Sequence, residues 1–288
     1  VNPSLGAVAQ IALELRVSSR TTLVGRAWCA ERPRALVGLV HGLGEHSGRY
    51  AAFAEELVRA RFTAVALDLP GHGETPGGRG DIPSWPQLID AIVPALFTAS
   101  RGLPGQPMEL PHLLLGHSMG GLIALDYALA HPRSLLAVVA TGPALKSWPP
   151  PRWKLALATA ARAVAPGAAF ASGIDEPGVS SDPEVLALRA ADPLVHDRIS
   201  PRTYFAITAA QQRVMANASR LQVPALIVQG AADRVIDPIG ALEFTGLAPH
   251  ALVRLETVKD AYHEVLNEPS RLATIRVILA WLDAVLVV

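Results

Sequence analysis

The run Gly116-His117-Ser118-Met119-Gly120-Gly121 limits what this chain can fold into more than any other feature. It follows His112-Leu113-Leu114-Leu115 and leads into Leu122-Ile123-Ala124-Leu125-Asp126-Tyr127-Ala128-Leu129, so the predicted order is strand, tight turn, helix. Glycines two before and two after the serine let such a turn close without a Cβ clash. They force the serine into a strained backbone with its hydroxyl exposed. A helix beginning at Met119 aims its unpaired N–H groups at the same point and favours negative charge there. A glycine turn of purely structural use is the alternative, and the elements on either side argue against it. Ser118 is the candidate nucleophile.

The strand needs neighbours, and the chain supplies them. Apolar runs at 36–40, 64–67, 135–139 and 225–228 are hydrophobic throughout rather than alternating, as in a parallel sheet covered on both faces. Helical patterns at 50–60, 86–98, 119–130 and 238–246 lie between them. This rhythm predicts an α/β fold with a mostly parallel central sheet and helices on both faces. Segments 8–17 and 23–30 read as an antiparallel pair at its leading edge. A single domain spanning 1–288 fits the length.

From about 142 to 221 the rhythm stops. No strand is evident there, prolines are frequent (Pro149, Pro150, Pro151, Pro166, Pro177, Pro183, Pro193, Pro201), and helical patterns run over 153–164, 182–190 and 201–218. A helical insertion between two sheet strands is expected to be a cap. Its part at 153–173 is unusually apolar, which fits either a helix buried against the body or a lid whose greasy face meets lipid.

A serine nucleophile needs a base, and the base an orienting acid, in the chain order Ser, Asp or Glu, His. Asp233 lies just past the 225–228 strand, where sites gather in open α/β sheets. Asp237, its competitor, precedes Pro238 and suits a helix N-cap. Two histidines follow: His250 stands before the strand at 252–255 and His263 after it, so His263 is the candidate base. Oxyanion donors are expected at the N–H of Met119 and at the N–H of Leu43, in the glycine-rich loop His41-Gly42-Leu43-Gly44-Glu45-His46-Ser47-Gly48-Arg49-Tyr50. That loop lacks the Gly-Lys-Ser/Thr ending of a phosphate-binding loop.

Residues 41–50, Asp68-Leu69-Pro70-Gly71-His72-Gly73, Gly77-Gly78-Arg79-Gly80, the turn at 116–121, Asp233 and Tyr262-His263 together resemble the monoacylglycerol lipase and lysophospholipase branch of the α/β-hydrolases. The likeness runs from about residue 23 onward, and only loosely through the cap. It implies the α/β-hydrolase fold and a serine esterase acting on a single-chain lipid with an exposed polar head, a monoacylglycerol foremost. It implies also that Glu45, Arg49 and His117 line a polar end near the glycerol head. Glu45 and Arg49, four apart, could instead simply pair, and His72 and His41 suit structural roles. Asp260 stands where relatives carry glycine. Other readings stay open: a lysophospholipase, a short-chain carboxylesterase, a serine aminopeptidase, or a hydrolase-fold binding protein without activity.

Composition narrows the partners. Twenty-five basic and 25 acidic residues cancel, with no basic block, so nucleic acid is not an expected partner. The single Cys29 rules out an intrachain disulfide and a cysteine-based metal site, and the chemistry requires no metal or organic cofactor. The N-terminal stretch is a poor signal peptide and no apolar run spans a membrane. The expected location is cytoplasmic, with transient membrane-surface contact through the cap. Acyl-chain preference and oligomeric state are not encoded in any motif.

Overall fold

In the computed structural model, which describes residues 8–19 and 21–287, the apolar runs pair as strands. The start of the stretch read for a signal peptide lies outside the described residues. First come β1 (Gln10–Arg16), β2 (Thr22–Trp28), β3 (Ala35–Val40), β4 (Phe62–Leu67), β5 (His112–His117) and β6 (Ala137–Thr141). Then follow β7 (Phe170–Ala171), β8 (Arg198–Ile199), β9 (Ala225–Gly230) and β10 (Val253–Val258). All but β7 and β8 share one sheet in the order β1-β2-β4-β3-β5-β6-β9-β10. β1 with β2, and β2 with β4, are antiparallel; the later pairs are parallel.

Helices cover both faces: α1 (Ala51–Arg59), α2 (Trp85–Gln87), α3 (Val93–Ala99), α4 (Met119–Ala130), α5 (Arg152–Val164), α6 (Pro183–Ala191), α7 (Pro201–Asn217), α8 (Ile239–Leu247) and α9 (Arg271–Val287). Strand side chains alternate between two cores. In β3, Leu36 and Val40 join one core with residues of α3, α4, α7 and α8. Ala35, Val37 and Leu39 face the other, with Phe53 and Leu57 of α1 and Ile275, Ile278 and Leu282 of α9. This double cover is why the inner strands are apolar at nearly every position.

Three features depart from the sequence reading. The helix expected at 86–98 is broken into α2, a wider π turn at Leu88–Ile92, and α3. Pro94 has no N–H to give the preceding turn, so the chain widens there. α9 occupies a segment to which no element was assigned, although its apolar residues recur at helical spacing. Finally, β7 and β8 form a small antiparallel ladder (Phe170 with Ile199, Ala171 with Arg198) where no strand was expected. Two residues are too few to show a pattern.

Between β6 and β9 the chain runs through α5, α6 and α7. The reading of 153–173 as a buried helix is overturned: in α5 only Ala161 is buried. Trp153 is 65% exposed and Leu157 53%. Apolar composition suits an inward or an outward face equally, and the body leaves this face uncovered.

Candidate active site

Parallel strands bring their C-terminal ends to one edge, so the loops after β3, β5, β9 and β10 converge. Ser118 sits between β5 and α4 with φ 55° and ψ −118°, a left-sided backbone unusual outside glycine. A Cβ on Gly116 would lie 2.0 Å from the Gly120 carbonyl oxygen, and one on Gly120 would lie 2.0 Å from that of Val40. The glycines are thus required by backbone passing backbone. The strained turn is held from both sides: Ser118 N–H donates to Thr141 O at 2.9 Å, and Ser118 O accepts from Leu122 and Ala144 N–H at 3.1 and 2.9 Å.

Asp233 lies beyond β9 with its side chain buried. Its Oδ1 accepts from the N–H groups of Val235 and Ile236, each at 2.9 Å. Oδ2 accepts from Gln229 Nε2 at 2.9 Å and pairs with His263 Nδ1 at 2.8 Å. Burial alone would raise this carboxyl's pKa, but His263 and the converging donors outweigh it and hold the pKa below the usual carboxylate value. Asp237 instead accepts from Ile239 N–H at 3.0 Å, at the start of α8. The loops that carry Asp233 and His263 are pinned together, since Ala232 N–H donates to Ala261 O at 2.9 Å. A Cβ on Gly230 would meet Tyr262 O at 2.0 Å. Asp260 adopts φ 59°, the region where glycine is at ease and where aspartate is tolerated.

His263 packs beside the serine turn. Its ring centroid is 4.7 Å from that of His117. A Cβ on Gly142, the residue after Thr141, would stand 3.1 Å from His263 Nδ1. The structure therefore gathers Ser118, Asp233 and His263 at one edge. Leu43 and Met119 are there too. A Cβ on Gly42 would lie 3.1 Å from Ser118 Cβ. Gly42 N–H is taken by Glu45 Oε1 at 2.6 Å, while the Leu43 and Met119 N–H groups meet no acceptor among the described residues.

Behind His117 lies a small enclosure in which Glu45, Arg49, Tyr50, His117, Glu264 and Asn267 meet the apolar Phe53 and Leu266. Arg49 bridges Glu45 Oε2 at 2.9 Å and Glu264, with Nη1–Oε1 at 2.5 Å and Nη2–Oε2 at 2.8 Å. Tyr50 Oη donates to Glu45 Oε1 at 2.8 Å and Asn267 Nδ2 to Glu264 Oε2 at 2.9 Å. The Glu45–Arg49 pairing exists, and it is one part of this larger network. Burial would raise the Glu45 carboxyl's pKa, yet Arg49 and nearby donors drive it far below the usual range. Sequence reasoning missed Tyr50, Glu264 and Asn267. Only the position of Glu264 next to His263 hinted at it.

His41 bridges the loops, with Nδ1–H donating to Gly42 O at 2.7 Å and Nε2 accepting from Leu69 N–H at 2.9 Å. Its ring neighbours His72, which neighbours His196. Burial, with some help from neighbouring cations, lowers the pKa of His117 and of His196 to about 4, and that of His72 well below its usual value. The unfolded chain takes up the His117 and His196 protons near pH 6.5, whereas the native state resists them until near pH 4. Stability contributed by these neutral rings is complete above about pH 6.5 and is lost as pH falls through about 4. Scanning calorimetry should show Tm dropping by several degrees between pH 6.5 and 4. A flat Tm across that window would contradict this.

A mostly parallel sheet with Ser118 on the strained turn between β5 and α4 defines the class, an α/β-hydrolase. The family model described as serine aminopeptidase, S33, matches residues 31–270. The monoacylglycerol lipase of Mycolicibacterium smegmatis is 32% identical over 252 residues, covering 87% of this chain and 88% of that protein. Phospholipase YtpA of Bacillus subtilis is 30% identical over 249 residues, covering 85% and 93%. The crystal structure of Paleococcus ferrophilus monoacylglycerol lipase superposes with a TM-score of 0.82 at 34% identity, covering 91% of this chain and 99% of that one. The chain belongs to this hydrolase family, in its monoacylglycerol lipase branch.

Proposed function

We propose that the protein is a serine esterase that cleaves the single ester of a monoacylglycerol into fatty acid and glycerol. The observation that carries the chemistry is the His263–Asp233 pair at 2.8 Å, set against the strained Ser118 turn. His263, oriented by Asp233, accepts the Ser118 proton as Oγ attacks the ester carbonyl. The N–H groups of Leu43 and Met119 receive the oxyanion. The leaving glycerol oxygen takes the proton from His263, and a water activated by the same base releases the acid from the acyl-enzyme.

The head-group argument is electrostatic. In the enclosure behind His117, Arg49 is already matched by Glu45 and Glu264. No uncompensated cation waits for a phosphate, and hydroxyl groups suit such carboxylates and amides better. The likeness to a phospholipase keeps lysophospholipid hydrolysis as the second reading. The segment at about 142–221 serves in this account as a cap that receives the acyl chain. Its open hollow of about 260 Å³ is lined by Trp153, Leu157, Phe170, Ile199 and Tyr204 among others.

Among the described residues no helix is long and apolar enough to cross a membrane. In this reading the protein is cytoplasmic and α5 touches the membrane surface, with Trp153, Leu155 and Leu157 exposed beside Arg152 and Lys154. A panel of monoacylglycerols, di- and triacylglycerols, lysophospholipid and an amino-acyl amide tests the substrate. A preference of about tenfold or more for monoacylglycerol is expected, equivalent to about 1.4 kcal/mol in the transition state. Preference for the lysophospholipid or the amide would overturn the head-group reading. Trp153→Glu with Leu157→Glu should reduce vesicle binding and raise KM for a long-chain monoacylglycerol, while kcat on a short-chain soluble ester, whose acyl group does not extend into that hollow, stays within about twofold.

A further inference from the structure

The enclosure is connected to the segment that covers it. Arg189, on α6, is buried and donates from Nη1 to Glu264 Oε1 at 3.3 Å. From Nε it donates to Glu176 Oε2 at 2.7 Å. Arg189 and Glu264 lie 75 residues apart. From Arg189 a continuous chain of charge-assisted hydrogen bonds passes through Glu264 and Arg49 to Glu45, and from Glu45 Oε1 to the Gly42 N–H. Its second link, Glu264, is the neighbour of His263 in sequence. Its last, Gly42, is the residue before Leu43.

Resting on the ester-hydrolase reading above, we propose that Arg189 is a positioning residue for the reaction. It balances Glu264 so that Arg49 stays on Glu45 and the 42–45 turn keeps the Leu43 N–H aimed at the substrate carbonyl. The charge count makes the case. Two buried carboxylates, Glu45 and Glu264, face two buried guanidiniums, Arg49 and Arg189, while the half-exposed Glu176 holds Arg189 from its solvent side. Without Arg189, Glu45 and Glu264 compete for Arg49 alone in a low-dielectric site. The competition is resolved by Arg49 leaning to Glu264 and releasing Glu45, or by one carboxylate taking a proton. Either change disturbs a turn whose geometry sets the oxyanion donor, and errors of about 1 Å there cost about 10²-fold in rate.

Arg189 is not the only tie between that segment and the loops. His46 Nε2 pairs with Asp192 Oδ2 at 2.8 Å. His196 N–H donates to Gly44 O, and Glu264 N–H to Val179 O, each at 2.8 Å. Loss of the guanidinium should therefore leave the fold and cover in place, which makes the role separable from simple attachment.

The test uses a soluble p-nitrophenyl ester, which reports on Ser118 chemistry whatever lipid the enzyme prefers. Arg189→Met is expected to lower kcat about tenfold with KM within about twofold, while Tm moves by only a few degrees. Arg189→Lys, which keeps the charge, should recover most of the rate. In a Glu264→Gln background, where no second charge remains to be balanced, Arg189→Met should cost less than about twofold. The groups facing Glu264 are Arg49, Arg189, Glu45, Tyr50, Asn267 and His117, so removing one cation should also move the acid limb of kcat to higher pH.

An unchanged kcat, losses that multiply in the double variant, or lysine no better than methionine would overturn the proposal. If Arg189→Met fails to fold, Arg189→Lys with and without Glu264→Gln answers the same question. Failure of the monoacylglycerol reading would show in the lipid panel and leave these comparisons standing. Failure of the serine-ester reading would show as wild-type protein that a fluorophosphonate does not label.

Discussion

Ser118→Ala is expected to abolish labelling by a fluorophosphonate and to lower kcat on any ester about 10⁶-fold, with Tm within a few degrees of wild type. The size of the loss follows from the role. Without Oγ there is no covalent intermediate, and only binding and the oxyanion donors are left to act on an attacking water. The fold should survive because the strained turn is held by backbone bonds to Thr141, Leu122 and Ala144 rather than by the hydroxyl. Losing a hydroxyl also leaves the backbone conformation unchanged, so the φ strain at position 118 is neither relieved nor deepened. Equal labelling of wild type and variant, measured by intact-protein mass spectrometry, would remove Ser118 from the reaction.

Asp233→Asn should lower kcat by about 10⁴-fold while the protein remains folded. The hydrogen bonds decide this. Oδ1 receives two backbone N–H groups, so the amide oxygen of asparagine must occupy that side. Its NH₂ then replaces Oδ2, where it faces the Gln229 Nε2 donor and His263 Nδ1. Two donors meet at Gln229, and His263 is pressed to accept at Nδ1. Its proton then sits on Nε2, the nitrogen that has to take the proton from Ser118. Steady-state kinetics with reduced kcat, in a protein whose far-UV circular dichroism and Tm stay near wild type, would match. A loss under tenfold would mean that another group orients His263.

Both predictions rest on residues that the sequence makes visible, and the reason is local. The Ser118 turn shows itself in glycines at positions where a Cβ would stand 2.0 Å from a neighbouring carbonyl oxygen, flanked by apolar runs that declare strand and helix. Asp233 and His263 follow strands that could be read from composition, and parallel strands deliver loop residues to a shared edge. Asp233 and Asp237 looked alike by type. Placement after β9 separated them, and the four donors around Asp233 give the physical basis. The α9 helix went unassigned although its apolar spacing carried the signal, whereas the π turn at Leu88–Ile92 depended on a single proline and the β7–β8 ladder on two residue pairs.

The Ser118 turn, the parallel sheet and the placement of Ser118, Asp233 and His263 after successive strands were determined by the sequence itself, because each depends on interactions among near neighbours or on strand composition. The direction in which α5 faces and the network from Glu45 to Arg189 were decided only by the tertiary structure. An apolar helix carries the same residues whether its outer face is covered or bare, so exposure depends on what packs against it. Glu264 and Arg49 are 215 residues apart and Glu264 and Arg189 are 75 apart. Charges so distant in sequence read as ordinary surface residues until folding removes the water between them and makes each answer for the other.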